Sequence, residues 1–139
     1  MADQEPSKEV IVVAEDSPPN RKILCHLLEK LGYEVVGCED GEVALKAIEE
    51  HKDANIVAVI SDIMMPKMDG IELLKKVRSI ESQKDTPFVL VTAVSDREYI
   101  VEAKALGVNG YILKPVTFQR VTSKLQELFP GKQFPNLAA

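Results

Sequence analysis

Four kinds of polar side chain stand directly after the apolar runs of this sequence, where they could do chemistry. The acids Glu15 and Asp16 follow the first run, and Asp62 follows the third. Thr92 and Lys114 follow the last two. Carboxylates suit a hard divalent cation, and an amine with a hydroxyl suits phosphoryl oxygens. An Asp carboxylate is also a competent nucleophile for phosphoryl transfer.

Five short apolar runs predict the strands that would position these side chains. Two of them, at 10–14 and 56–60, are continuous and predict strands buried on both faces. The run at 33–38 is shorter and partly alternates, as an edge strand does. The remaining runs lie at 88–91 and 110–113.

The segments between the runs repeat apolar residues at helical spacing and predict five helices. Asp16 or Ser17 is available to cap the first helix, which Gly32 ends, and Thr117 caps the last. The fourth segment, 96–106, has the weakest apolar stripe, which indicates a loosely anchored element.

Strands that alternate with helices along a chain predict a parallel sheet with helices on both faces. We therefore predict an α/β, flavodoxin-like (βα)5 doubly wound fold whose five-stranded sheet has the order 2-1-3-4-5. This order brings the polar strand ends onto one rim, where open sheets bind ligands. Carboxylates in one cleft repel each other, so a cation such as Mg²⁺ is their natural partner.

The length of 139 residues predicts one domain, with a flexible leader at 1–8, a globular domain at 9–130 and a tail at 131–139. The net charge of −5 argues against direct binding of nucleic acid. A signal-peptide core and a run of ~20 apolar residues are both missing, so we predict a cytoplasmic protein without membrane contact. Cys25 and Cys38 lack metal-ligand spacing and are expected to be reduced thiols.

Five short motifs together give the chain a resemblance to a known family. The chain resembles a response regulator receiver domain (CheY-like) of two-component signal transduction, over about residues 9 to 129. Each motif alone is weak, whereas all of them in order are specific. They are VVAEDS at 12–17, SDIMMP at 61–66, MDG at 68–70, VTA at 91–93 and GYILKP at 110–115.

The resemblance implies a phosphoacceptor and a metal site. Asp62 would receive the phosphoryl group, to form an aspartyl-phosphate. Mg²⁺ would be bound by Asp16, Asp62 and the backbone carbonyl of Met64, with Glu15 acting mainly through water. The family accepts Glu at this first acidic position, although Asp is commoner.

The resemblance also implies how phosphorylation would be read. Thr92 and Lys114 would bind the phosphoryl oxygens, and Tyr111 would be the aromatic switch that turns inward when Thr92 moves. The bond between Lys114 and Pro115 would be cis, which X-Pro bonds tolerate.

The function implied is that of a phosphoacceptor switch rather than an enzyme. A sensor histidine kinase or phosphotransfer protein would donate the phosphoryl group in a Mg²⁺-dependent reaction. The chain would catalyse only its own phosphorylation and slow autodephosphorylation. A downstream effector protein would bind the face made by the fourth helix, fifth strand and fifth helix (α4-β5-α5), and the protein would be a monomer or a phosphorylation-dependent dimer.

The expected autodephosphorylation is slow because Met64 and Val94, which border the path of the attacking water, are both apolar. Neither side chain can orient that water by hydrogen bonding, and both could shield the phosphate from it.

Four other functions are compatible with parts of the sequence. A pseudo-receiver would be a constitutive interaction module, and a hybrid kinase or larger regulator could contain this domain. A small phosphohydrolase would need an acid at position 64, where the chain has Met. A flavodoxin-like electron carrier would need a Ser/Thr-rich phosphate loop where this chain has EDSPPN at 15–20.

Overall fold

The computed structural model describes residues 9–51, 54–93, 96–132 and 134. Within these residues five strands alternate with five α-helices. A short 3₁₀ helix, Glu81–Gln83, precedes the fourth strand. The strands are β1 (Glu9–Ala14), β2 (Glu34–Cys38), β3 (Asn55–Asp62), β4 (Phe88–Thr92) and β5 (Gly110–Leu113). The helices are α1 (Pro18–Lys30), α2 (Gly41–Glu50), α3 (Gly70–Ser79), α4 (Arg97–Ala105) and α5 (Phe118–Leu128).

The strands form one parallel sheet in the order β2-β1-β3-β4-β5, which confirms the predicted doubly wound fold. Neighbouring strands end almost level with one another. Ala14 pairs with Ser61 of β3, and Asp62 pairs with Val91 of β4. The carboxyl ends of β1, β3 and β4 therefore meet at one rim of the sheet.

Two apolar cores lie on opposite faces of the sheet. In β1 the side chain of Val12 joins the core formed with α2, α3 and α4, whereas Ile11 joins the core formed with α1 and α5. Val59 and Ile60 of β3 divide in the same way, and all four are fully buried. Central strands buried on both faces explain the continuous apolar runs in the sequence.

Side-chain caps fix the start of three helices. Asp40 accepts a hydrogen bond from the backbone N–H of Val43, at 2.9 Å, and thereby caps α2. Asp69 and Thr117 cap α3 and α5 in the same way. The expected side-chain cap on α1 is absent at its N-cap residue, Ser17, which instead donates its backbone N–H to the Glu15 carboxylate.

One arginine ties α3 to the connection between α4 and β5. Arg78 donates to the carbonyls of Thr86 and Gly107 at 2.8 and 2.9 Å. It also donates to the side-chain oxygen of Asn109, which in turn accepts from the backbone N–H of Phe88. The carboxyl end of α4 is therefore anchored to two neighbouring elements.

The rest of α4 is packed lightly, as its weak apolar stripe predicts. Val101 is 74% exposed, and Ala103 is the small side chain through which the helix enters the core. An exposed ion pair between Lys75 and Glu102 links α4 to α3 at 3.1 Å. Such pairs contribute little to stability.

The two cysteines are free and lie on opposite faces of the sheet. Burial raises the pKa of Cys25, and it raises the pKa of Cys38 to about 11. Both thiols are therefore protonated at neutral pH. The predicted leader at 1–8 lies outside the described residues, as does all of the predicted tail except 131, 132 and 134.

A short segment after α5 folds back over Tyr33. Phe134 lies 6.4 Å from the Tyr33 ring, measured between ring centroids, and the Lys132 ammonium lies 4.5 Å from the same ring centre. Lys132 also forms an ion pair with Glu9 at the start of β1. The buried Tyr33 hydroxyl is the one side-chain polar atom in the described part of the chain that is fully buried without a hydrogen-bond partner.

We expect Tyr33→Phe to stabilise the protein by about 1 kcal/mol, because it removes a buried unpaired hydroxyl and keeps the ring. Thermal unfolding should show a midpoint higher by roughly 3 °C. Tyr111→Phe is the matched control, since the Tyr111 hydroxyl donates to the Ile100 carbonyl. A lower midpoint for Tyr33→Phe would show that this hydroxyl has a partner in solution.

Candidate functional site

The end of β1 presents two acids in different environments. Glu15 is buried with 3% of its surface exposed, whereas Asp16 is exposed. The Glu15 carboxylate accepts the Ser17 backbone N–H at 3.2 Å, and the Arg21 guanidinium donates to the Glu15 carbonyl at 2.8 Å. The turn after β1 is thus held from α1.

Asp62 is the last residue of β3, and its carboxylate is almost completely buried. One oxygen, Oδ1, accepts the backbone N–H of Ile63 at 3.0 Å. The other, Oδ2, accepts the Lys114 ammonium, also at 3.0 Å. Gly70 packs against this residue so closely that a Cβ there would lie 2.3 Å from the Asp62 carbonyl oxygen. Only glycine allows that approach.

Carboxylate oxygens of Glu15, Asp16 and Asp62 all lie within 4.8 Å of one another. Burial, and then the charge of Asp62, raise the pKa of Glu15 from 4.5 to about 7. The repulsion between carboxylates that the sequence predicted is the second of these two causes. Three hard oxygen donors at this separation fit a small divalent cation.

Lys114 brings a positive charge to the acid cluster from the end of β5. Burial lowers the pKa of Lys114, but the hydrogen bond to Asp62 and the negative charge of Asp62 outweigh burial. Smaller contributions from the charges of Glu15 and Asp96 act in the same direction, so the pKa of Lys114 is raised. Its backbone N–H donates to the Thr92 carbonyl at 2.7 Å. The bond from Lys114 to Pro115 is cis, as the resemblance implies.

The end of β4 adds Thr92 and a carboxylate that sequence reasoning missed. Thr92 is buried, and the next residue, Ala93, donates its N–H to Asp96 Oδ2 at 2.8 Å. Asp96 is itself buried and faces Lys114 closely enough to raise its pKa. An Asp four residues after Thr92, at the start of a helix, was the available signal, although it reads equally well as a simple cap.

Two other candidate residues lie at the margins of the cluster, and one lies outside the described residues. Met64 is 51% exposed in the loop after β3. Tyr111 is half-buried on β5, away from the acids, and its hydroxyl donates to the Ile100 carbonyl of α4 at 3.4 Å. Val94, predicted to border the approach of water, is not among the described residues.

A parallel doubly wound sheet with an acid cluster and a lysine at its carboxyl rim defines the class of CheY-like receiver domains. The family model described as response regulator receiver domain matches residues 11–126. The chain therefore belongs to the response regulator receiver domain family of two-component signalling.

Relatives and solved structures agree with this family. The chain is 37% identical over 119 residues to chemotaxis protein CheY-3 of Vibrio cholerae serotype O1, which covers 86% of this chain and 90% of the relative. It is similar to the structure of Vibrio cholerae chemotaxis protein CheY4, with a TM-score of 0.81, 32% identity and coverage of 88% of this chain and 100% of that one.

It is also similar to the receiver domain of sensor histidine kinase PA1611 from Pseudomonas aeruginosa PAO1, with a TM-score of 0.74 and 26% identity. The match covers 88% of this chain and 98% of that one, which was solved with a magnesium ion in its active site cleft.

Among the helices that the structure describes, none combines the length and apolar character needed to cross a membrane.

Proposed function

We propose that this receiver domain accepts a phosphoryl group on Asp62 from a phosphohistidine of a sensor histidine kinase or phosphotransfer protein. The observation that carries the proposal is the Asp62 carboxylate, buried at the rim and paired with Lys114 at 3.0 Å. An Asp62 oxygen would attack phosphorus as the phosphorus–nitrogen bond of the donor breaks. The released imidazole takes a proton from solvent.

The acid cluster fits Mg²⁺ as the cofactor. Asp16, Asp62 and the carbonyl of Met64 would hold the ion directly, with Glu15 mainly through water. When bound, Mg²⁺ neutralises charge on the transferring phosphoryl oxygens. The residues of the chain prepare for this by holding the carboxylates together before the donor arrives, at the cost of a raised pKa for Glu15.

Lys114 and Thr92 would hold the other oxygens of the phosphoryl group. Lys114 would exchange one carboxylate oxygen of Asp62 for a phosphoryl oxygen, which is a small movement from its present contact. A cavity of about 490 Å³ opens beside Glu15 and Lys114, and the 51% exposed Ile23 lies on its wall. This opening supports access by a donor side chain.

The readout would be a change in the α4-β5-α5 face. Tyr111 bridges β5 and α4, so that its movement with Thr92 would alter both. Val101 is 74% exposed and Leu113 is 44% exposed on this face, and a cavity of about 520 Å³ lies between β5 and α5. These features support binding of a downstream effector protein there.

We expect the wild-type protein, incubated with Mg²⁺ and acetyl phosphate, to gain the mass of one phosphoryl group. Asp62→Asn should gain none, because the amide is not a nucleophile. Intact mass spectrometry at acidic pH measures both. If the wild type gains no mass, the domain is a pseudo-receiver with a constitutive interaction role.

We expect the aspartyl-phosphate to decay slowly, because the two positions that the family resemblance assigns to the approach of water, 64 and 94, are occupied by the apolar residues Met and Val. The double variant with Met64→Asn and Val94→Glu should shorten its lifetime by roughly tenfold, within the lower range for general acid–base assistance. The decay of isolated phosphorylated protein is followed by mass or by phosphate release. An unchanged rate would contradict the role of these two positions.

The remaining features of the proposal follow from the sequence. The domain occupies 9–130 between a leader and a tail, works in the cytoplasm without binding nucleic acid or membrane, and is a monomer or dimerises on phosphorylation. It catalyses only its own phosphorylation and dephosphorylation.

A further inference from the structure

The side chain of Arg120 holds the loop that carries Lys114. Arg120 lies in the first turn of α5, where its backbone N–H donates to the hydroxyl of the cap residue Thr117 at 3.1 Å. One guanidinium nitrogen, Nη1, donates to the Leu113 carbonyl at 3.1 Å and to the Pro115 carbonyl at 2.9 Å. A single nitrogen therefore bridges two carbonyls of the same loop.

Those two carbonyls stand on either side of Lys114 in the chain. The backbone N–H of Lys114 is held separately by the Thr92 carbonyl, at 2.7 Å. The peptide unit that joins Leu113 to Lys114 is thus held on both sides, its carbonyl from α5 and its N–H from β4, and the unit that joins Pro115 to Val116 is held from α5 as well. The direction in which the Lys114 side chain leaves the backbone is set by these contacts.

We propose that Arg120 is a positioning residue of the phosphoryl site, which aims Lys114 at Asp62 by bridging the carbonyls of Leu113 and Pro115. The inference rests on the proposed function, because it assigns to Arg120 an effect on the same reaction. Arg120 does not contact Asp62, so its effect passes through Lys114.

The hydrogen bonds from Arg120 matter because the loop around Lys114 is held by little apolar packing. Leu113 and Pro115 are exposed and Lys114 is half-buried, so few apolar contacts fix the loop. Charge-assisted hydrogen bonds are stronger than neutral ones, and a catalytic group that is held in place loses less freedom in the transition state. A poorly aimed lysine would still attract phosphate but would stabilise the transition state less.

Arg120 also belongs to the proposed output face. Its side chain lines the cavity between β5 and α5 together with Tyr111 and Lys124. The Arg120 guanidinium therefore lies between the proposed effector-binding face and the loop that carries Lys114.

The experiment compares rates of phosphorylation by acetyl phosphate with Mg²⁺, for the full chain. Arg120→Gln should slow the reaction by about five- to tenfold, the effect expected for loss of one to two modest hydrogen bonds. Arg120→Lys should restore most of the rate, because an ammonium can also donate to both carbonyls. Lys46→Gln, an equal change of charge at an exposed site on α2, across the sheet from α5, should leave the rate unchanged.

A double-mutant cycle separates positioning from a general loss of structure. In the Lys114→Ala background, Arg120→Gln should have no further effect, because the group that it positions is gone. An equal slowing in both backgrounds would overturn the proposal, as would an unchanged rate in the wild-type background. If the wild type is not phosphorylated at all, the proposed function and this inference fail together.

A second measurement needs neither metal nor reaction. In metal-free protein, ¹H–¹⁵N spectra of Arg120→Gln should show shifted or broadened amide signals for Lys114 and Val116, with those of α2 unchanged. Unmoved signals around Lys114 would overturn the proposal whatever the rates show.

Discussion

Lys114→Ala is expected to lower the rate of Asp62 phosphorylation by about a hundredfold, the usual effect of removing one donor to developing negative charge. The same change should not weaken Mg²⁺ binding, because Lys114 is a positive charge close to the acids and its loss leaves their field stronger. Phosphorylation with acetyl phosphate and calorimetric titration with Mg²⁺ measure the two effects.

The metal-free Lys114→Ala protein should also be less stable, by roughly 1–2 kcal/mol, since a buried carboxylate loses its partner. The expected loss of stability is smaller than for a fully buried ion pair, because the Lys114 side chain is 34% exposed and solvent screens its charge. Lys75→Ala is the matched control, as it removes an ion pair of 3.1 Å in which both side chains are about half exposed. Equal losses of stability in the two variants would show that burial of Asp62 carries no special cost.

The second large effect concerns pH and the buried Glu15. Its pKa is about 7 in the folded protein and close to the ordinary 4.5 when the chain is unfolded, so the folded state binds the proton more tightly. The contribution of this group to stability is therefore full below about pH 4.5 and is lost as the pH rises to about 7. The loss is on the order of 3 kcal/mol for metal-free protein.

Glu15→Gln should remove this dependence, because the amide resembles the protonated acid at every pH. We expect the metal-free variant to be more stable than the wild type at pH 8, with the difference vanishing near pH 4.5. Urea unfolding in the presence of a chelator, at a series of pH values, provides the measurement. A variant that is less stable at pH 8 would contradict the raised pKa and would indicate a stabilising role for the charged form.

Most of the fold could be predicted because its signals are local. Continuous apolar runs identify the central strands, the partly alternating run around residues 33–38 identifies the edge, and Gly32 identifies the end of the first helix. The placing of Asp62 with Lys114 followed from topology, since parallel strands bring their carboxyl ends together.

The features that the sequence did not reveal depend on contacts between distant residues. Asp96 reads as the start of a helix until the fold brings it near Lys114. Arg120 reads as one of many exposed cations on a helix, and its bridge to two carbonyls requires the turn after β5. Ser17 has the right residue type for a cap, but its side chain accepts no hydrogen bond from the first turn of α1, and its backbone N–H donates to the Glu15 carboxylate.

The anchoring of α4 at one end has a mechanical consequence. Arg78 and Asn109 tie down its carboxyl end, so that end is a pivot, while its other end follows Asp96 and the strand that carries Thr92. Nine helical residues give a lever about 13 Å long. A rotation of roughly ten degrees about the pivot would move the Asp96 end by roughly 2 Å and leave Gly107 almost still. A displacement of the Asp96 end would therefore act at the point farthest from the pivot, where a given force produces the largest turn.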